Sequence, residues 1–141
     1  MEGGLVKSGI VILREQEGHD TGSHPENARR FPGVIERLAG DCRGLDLPIL
    51  DSRPAEVEDL LRAHTEPHVE NVRVAAENGP TWLDGDTVAS PGSYDVALRS
   101  AGASLVAVDA VAGPERSAES LFVIQRPPGH HRSRRGRTGG H

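Results

Sequence analysis

The chain has 141 residues, the length of one ordinary domain. It is 35% hydrophobic and 26% charged, and its formal net charge of −5 speaks against a nucleic-acid binder acting through the whole chain. One cysteine, Cys42, excludes an internal disulfide and fits a reducing compartment. The opening Met1-Glu2-Gly3-Gly4 lacks the basic-then-apolar order of a secretory signal.

Aromatics are only 3% of the chain, so the core must rest on Val, Leu, Ile and Ala, which suits buried parallel strands. Gly9 to Leu13 reads as a first strand, and Glu15 to Gly22 as a polar loop. Ser23-His24-Pro25-Glu26 has the capping-box pattern. Ala28, Phe31, Ile35 and Leu38 then recur at helical spacing, with Gly40 as the stop. Leu47 to Leu50 is a second strand, and Cys42 before it reads as a small loop residue. Short helices are expected over Pro54 to Ala63 and Glu66 to Glu77, the second ended by Asn78-Gly79-Pro80. Trp82 to Ala89 reads as a loop holding Asp84-Gly85-Asp86-Thr87.

Ser90-Pro91 opens the longest predicted helix, with Tyr94, Leu98, Ala101, Leu105, Val108 and Ala112 as its inward stripe. This is also the most apolar stretch, yet Asp95, Arg99 and Asp109 make it too polar to span a bilayer; a cytoplasmic location is expected. Ser120 to Ile124 is a continuous apolar run, the sign of a buried parallel strand. Helices alternating with short apolar strands indicate an α/β layer fold. No internal repeat is present.

Directly after that strand stands Arg126-Pro127-Pro128-Gly129-His130-His131. In open α/β sheets functional groups lie beyond the carboxyl ends of strands, and adjacent imidazoles suit acid–base work near neutral pH. On spacing alone, the pair also fits a surface position in a tail. From His130 to His141 there is no apolar residue and no acid, while Arg132, Arg134, Arg135 and Arg137 cluster there.

The hexapeptide Arg126 to His131 resembles the catalytic signature of the family of histone deacetylases, acetoin utilization proteins and acetylpolyamine amidohydrolases. The order of the other motifs agrees: His24-Pro25-Glu26-Asn27 followed by Arg30, Pro54-Ala55 through His64, Asp84-Gly85-Asp86-Thr87, and Ser90 through Gly102. The resemblance covers about Val11 to His131. It implies the N-terminal part of an arginase- and deacetylase-like α/β fold, with a parallel sheet and flanking helices.

The resemblance also implies roles. His130 and His131 would be catalytic, His130 as the buried electrostatic partner and His131 as general base and acid. Gly129 and Asp86 would bind substrate, Gly129 at the inner end of the acyl pocket and Asp86 at the rim, accepting from the substrate backbone. The substrate would be an acetylated protein or a small acylated amine. Zinc serves the full-length family, polarising the carbonyl and activating water. Asn27 stands where several members carry an Arg, and His68 where a Tyr is common. His24 and His64 are expected to satisfy local hydrogen bonds.

The family's zinc ligands follow the histidine pair, and they are not recognisable among the residues after His131. Hence no residue of this chain is assigned to metal, and no stable zinc binding is expected. Two regions are expected: residues 1–131 as the N-terminal portion of the deacetylase-like domain, and residues 132–141 as a basic, disordered segment outside the family pattern. The expectation is a truncated or frameshifted deacetylase, inactive alone. A non-catalytic binding protein, or half of a split deacetylase completed by a second chain, stays open. Neither membrane nor nucleic acid is an expected partner.

Overall fold

A computed structural model of the chain describes residues 6–128. Three parallel strands form its sheet in the order β2-β1-β5: β1 is Val6–Ile12, β2 is Ile49–Asp51 and β5 is Ala118–Ile124. The central strand is the apolar run noted first. Ile10, Val11, Ile12 and the following Leu13 are all buried, because β1 is paired on both edges and covered on both faces.

Helix α1, Phe31–Gly44, covers one face. Side chains alternate along a strand, so Ile10 and Ile12 share a face with their neighbour Ile124. They form the core with Ala39 and Cys42 of α1, flanked by Phe31, Ile35 and Leu38. Cys42 is therefore a buried helix residue, not a loop residue. Val11 points the other way, where α4, Ser93–Ala112, packs across β1 and β5. Two short helices, α2 (Val57–Leu61) and α3 (Glu66–Glu77), connect β2 to a small hairpin of β3 (Thr81–Trp82) and β4 (Val88–Ala89). This is the expected α/β arrangement. No helix among the described residues is long and apolar enough to cross a membrane.

Three local expectations are corrected. The first helix does not start at the Ser23 box. His24 uses its ring to accept from the Glu26 N–H, Asn27 caps a 3-10 turn at Ala28–Arg30, and α1 starts only at Phe31. Nor does Gly40 stop it, since α1 runs on to Gly44. Residues 82–89 are a hairpin rather than a plain loop.

The seam of α4 is also rotated from the predicted stripe. Its buried residues are Ser93, Val96, Ser100, Gly102, Ala103 and Ala110, whereas Val108 is 60% exposed. Small side chains let the backbone come close, and the residues 53–55 exploit this: Ala55 N–H donates to Leu98 O at 2.9 Å. A methyl group on Gly102 would collide with the carbonyl of Arg53. The larger apolar residues are left beside the seam.

Strand β5 is an edge. Among the described residues it pairs with β1 alone, and Phe122, opposite Ile10, is 65% exposed.

Candidate functional site

Because β1 and β5 run parallel with Ile12 opposite Ile124, their carboxyl ends meet at one edge of the sheet. The chain leaving β1 becomes the long loop 13–30; the chain leaving β5 becomes Arg126-Pro127-Pro128. Between them and the β3–β4 hairpin opens a cleft of about 830 Å³. His19, His24 and Glu26 line it from the loop, Asp86 and Val88 from the hairpin, Ser93 from α4, and Arg126 to Pro128 from the turn.

Arg126 organises these pieces. Its side chain is wholly buried, and every hydrogen bond it makes reaches another segment. Nε donates to Glu26 Oε1 at 2.7 Å and Nη2 to Oε2 at 3.1 Å, a two-pronged pair. Nη1 donates to the carbonyls of Gln16 at 3.0 Å and His19 at 2.7 Å. Ser100 of α4 donates to Pro127 O at 3.2 Å, fixing the next residue of the turn. The Arg126-Pro127 turn is thereby fixed by a buried cation and a helix hydroxyl.

Electrostatics follow from this geometry. Burial would raise the Glu26 carboxyl, but the hydrogen bonds and charge of Arg126 outweigh it and hold the group below its ordinary value. Burial, then the same guanidinium, push His19 below its ordinary value. His19 is held instead by Ser93, with Nδ1 at 2.7 Å from Oγ; its Nε2 is 3.8 Å from Glu26, too far for a hydrogen bond.

Asp86 stands on the hairpin tip. The first acid of the motif builds the loop: Asp84 accepts from Asp86 N–H at 2.8 Å and from Thr87 Oγ1 at 3.1 Å, while Leu83 N–H donates to Thr87 O. The second is presented outward, with a side chain 70% exposed. His24 Nε2 lies 2.9 Å from its Oδ1. Asp86 and the Arg126 turn line the same cleft. Gly129, His130 and His131 lie outside the described residues, as does the basic segment 132–141. His24 does satisfy a local hydrogen bond, but it also reaches the distant Asp86. Asn27 serves as a cap, accepting from Arg29 N–H, while Arg30 lines the cleft. Sequence reasoning missed the Arg126–Glu26–His19 cluster. Its only signal was an arginine between an apolar run and two prolines.

A parallel sheet with helices on both faces, and a cleft at its carboxyl edge walled by a His-Pro-Glu loop and an Arg-Pro-Pro turn, defines an α/β protein of the arginase and deacetylase fold. Comparison with known proteins agrees. The histone deacetylase domain family matches residues 24–141. A histone deacetylase-like amidohydrolase of Pseudomonas aeruginosa is 37% identical over 107 residues, which is 76% of this chain and 27% of that protein. A probable deacetylase of Archaeoglobus fulgidus is 33% identical over 127 residues, covering 88% of this chain and 34% of that one. The crystal structure of the HDA15 HD domain is similar in fold, with a TM-score of 0.75 at 24% identity over 95% of this chain and 40% of that one. The chain belongs to the histone deacetylase family. It spans well under half the length of these relatives.

Proposed function

We propose that this chain carries the substrate-side part of a deacetylase site, built to hold an acetylated protein or a small acylated amine, and that it does not hydrolyse the amide alone. The observation that carries this reading is the convergence of Asp86, His24 and the Arg126–Pro128 turn on one cleft at the carboxyl edge of the sheet. Residues 129–131 continue directly from that turn. In this reading His130 and His131 act as the acid–base pair, Gly129 lines the acyl end, and Asp86 receives the substrate backbone at the rim.

Zinc would supply carbonyl polarisation and an activated water in the family's chemistry. The described residues do not fit it. Among them, no three His, Cys, Asp or Glu side chains come together in a way that could hold a metal. The cleft histidines are engaged, His19 by Ser93 and His24 by Glu26 N–H and Asp86. Residues 132–141 add no acid. No chemical step is therefore assigned to a metal held by these residues.

The test is an assay of the purified chain with zinc, on an acetyl-lysine peptide and on an acetylpolyamine, with and without chelator. The expected result is peptide binding without turnover; turnover abolished by chelator would overturn the reading. A cytoplasmic location belongs to the same proposal and is checked by fractionating the cells that express the chain.

A second reading is favoured by the β5 edge: a split enzyme, in which another polypeptide adds strands beside Ala118–Ile124 and covers Phe122. Co-expression with the remaining portion of the Pseudomonas aeruginosa relative tests it. Co-purification with chelator-sensitive activity supports a split enzyme, and two polypeptides that stay apart argue against it.

A further inference from the structure

The contact between His24 and Asp86 joins two segments that the sequence keeps far apart, and the other partner of the ring sets its direction. The backbone N–H of Glu26 lies 3.0 Å from His24 Nδ1, and an amide N–H can only donate. Nδ1 is therefore the acceptor nitrogen. In the neutral ring the proton must sit on Nε2, which is 2.9 Å from Asp86 Oδ1 and donates to it. The Pro25-Glu26 turn thus selects the tautomer, and the tautomer selects the carboxylate.

Asp86 needs such a partner. It stands on a hairpin of two-residue strands, and its own backbone is fixed by Asp84, but nothing in that loop fixes its side chain. Among the described residues no group takes its second oxygen. A carboxylate pinned at one oxygen and open at the other presents one oriented acceptor to the cleft. A freely rotating one would have to be ordered by the substrate itself, at a cost in affinity.

We propose that His24 is the positioning residue for Asp86. Held as the Nε2–H tautomer, it fixes one carboxylate oxygen and leaves the other to accept a backbone N–H of an acetylated peptide. This rests on the reading of Asp86 as a substrate-binding residue. It adds the residue that makes that binding efficient and a preference for substrates with peptide N–H groups over small acylated amines.

The experiment uses the full chain and an acetyl-lysine peptide as probe. Long-range 1H–15N correlation of the His24 ring, taken at a pH where the ring is neutral, is expected to show the Nε2–H tautomer. His24→Asn keeps an oxygen where Nδ1 accepts from Glu26 but loses the reach to Asp86; His24→Gln keeps a donor near the position of Nε2. Peptide binding is expected to weaken on the order of tenfold in His24→Asn and in Asp86→Asn alike. The double variant is expected to lose no more than either single one, and His24→Gln to stay within about twofold of the parent chain. An Nδ1–H tautomer, or binding that is lost in Asp86→Asn and intact in His24→Asn, overturns the proposal alone. Parent binding that is absent, or indifferent to Asp86→Asn, sinks the substrate-side reading and this proposal with it. Matched melting temperatures across the variants separate both outcomes from misfolding.

Discussion

Replacing Glu26 by glutamine changes almost no volume and removes the one carboxylate paired with a fully buried arginine. Arginine does not lose its proton in proteins, so the guanidinium would stay charged among the carbonyls of Gln16 and His19 and a neutral amide. Removing one partner of a buried pair typically costs about 3–5 kcal/mol, because the other charge is left uncompensated. The Glu26 side chain keeps 19% of its exposure, so water can offset part of the loss and the low end, about 3 kcal/mol, applies. With a urea slope of about 1–3 kcal/mol per molar, the unfolding midpoint should fall by roughly 1–3 M. Urea titration followed by far-UV circular dichroism measures it. If the parent chain has less stability than this, the variant is unfolded in buffer and its spectrum reports that directly. Asp51→Asn is the matched control, since the Arg14–Asp51 pair is exposed on both sides and should cost under about 1 kcal/mol. A Glu26→Gln loss no larger than that control would refute the role given to Arg126.

The other expectations are compact. His19 and Glu26 both have depressed values when folded, so both favour the folded state at higher pH and lose that contribution on acidification. Stability should decline first as pH falls below the ordinary His value of 6.5, then again below the ordinary Glu value of 4.5; His19→Asn should remove the first decline from melting curves taken across pH. Gly102→Ala should destabilise severely, as its methyl meets the Arg53 backbone, whereas Gly40→Ala meets nothing and should gain about 0.5–1 kcal/mol; thermal melts compare the two. Phe122→Glu should leave stability within about 0.5 kcal/mol but reduce self-association on light scattering, because it places a charge on an exposed apolar edge strand.

The elements that periodicity alone defines were legible. Helix α3 spans the predicted Glu66–Glu77, and β5 contains the predicted apolar run. What escaped the sequence was decided by contacts between distant segments. Ser90 looks like a helix start, yet its hydroxyl is committed to Gly18 O and Asp20 N–H, and α4 begins at Ser93. The stripe of large residues on α4 looks like its buried side, yet close backbone approach at Gly102 selects the small residues for the seam. Arg126 reads as a polar loop residue, because its counter-charge is Glu26, a hundred positions earlier. The motif around Asp86 marked a loop that lines the cleft, while the contact of Asp86 with His24 required the fold to bring the hairpin to the loop.

The two ends of the sheet contrast in a way that bears on how the site is made. Along β5, among the described residues, Phe122 is exposed and one strand edge is unpaired. At the carboxyl edge the segments around the cleft are tied to one another: loop 13–30, the β3–β4 hairpin, the start of α4 and the Arg126 turn are joined by Glu26, His24, Ser90 and Ser100. None of these bonds depends on a strand beyond β5. A buried arginine is costly to desolvate and contributes little net stability. Its effect here is on geometry, since it can be satisfied only when the loop and the turn stand in one relative position. The walls of the cleft are therefore set from within residues 6–128, and added strands would complete the apolar core without having to build those walls.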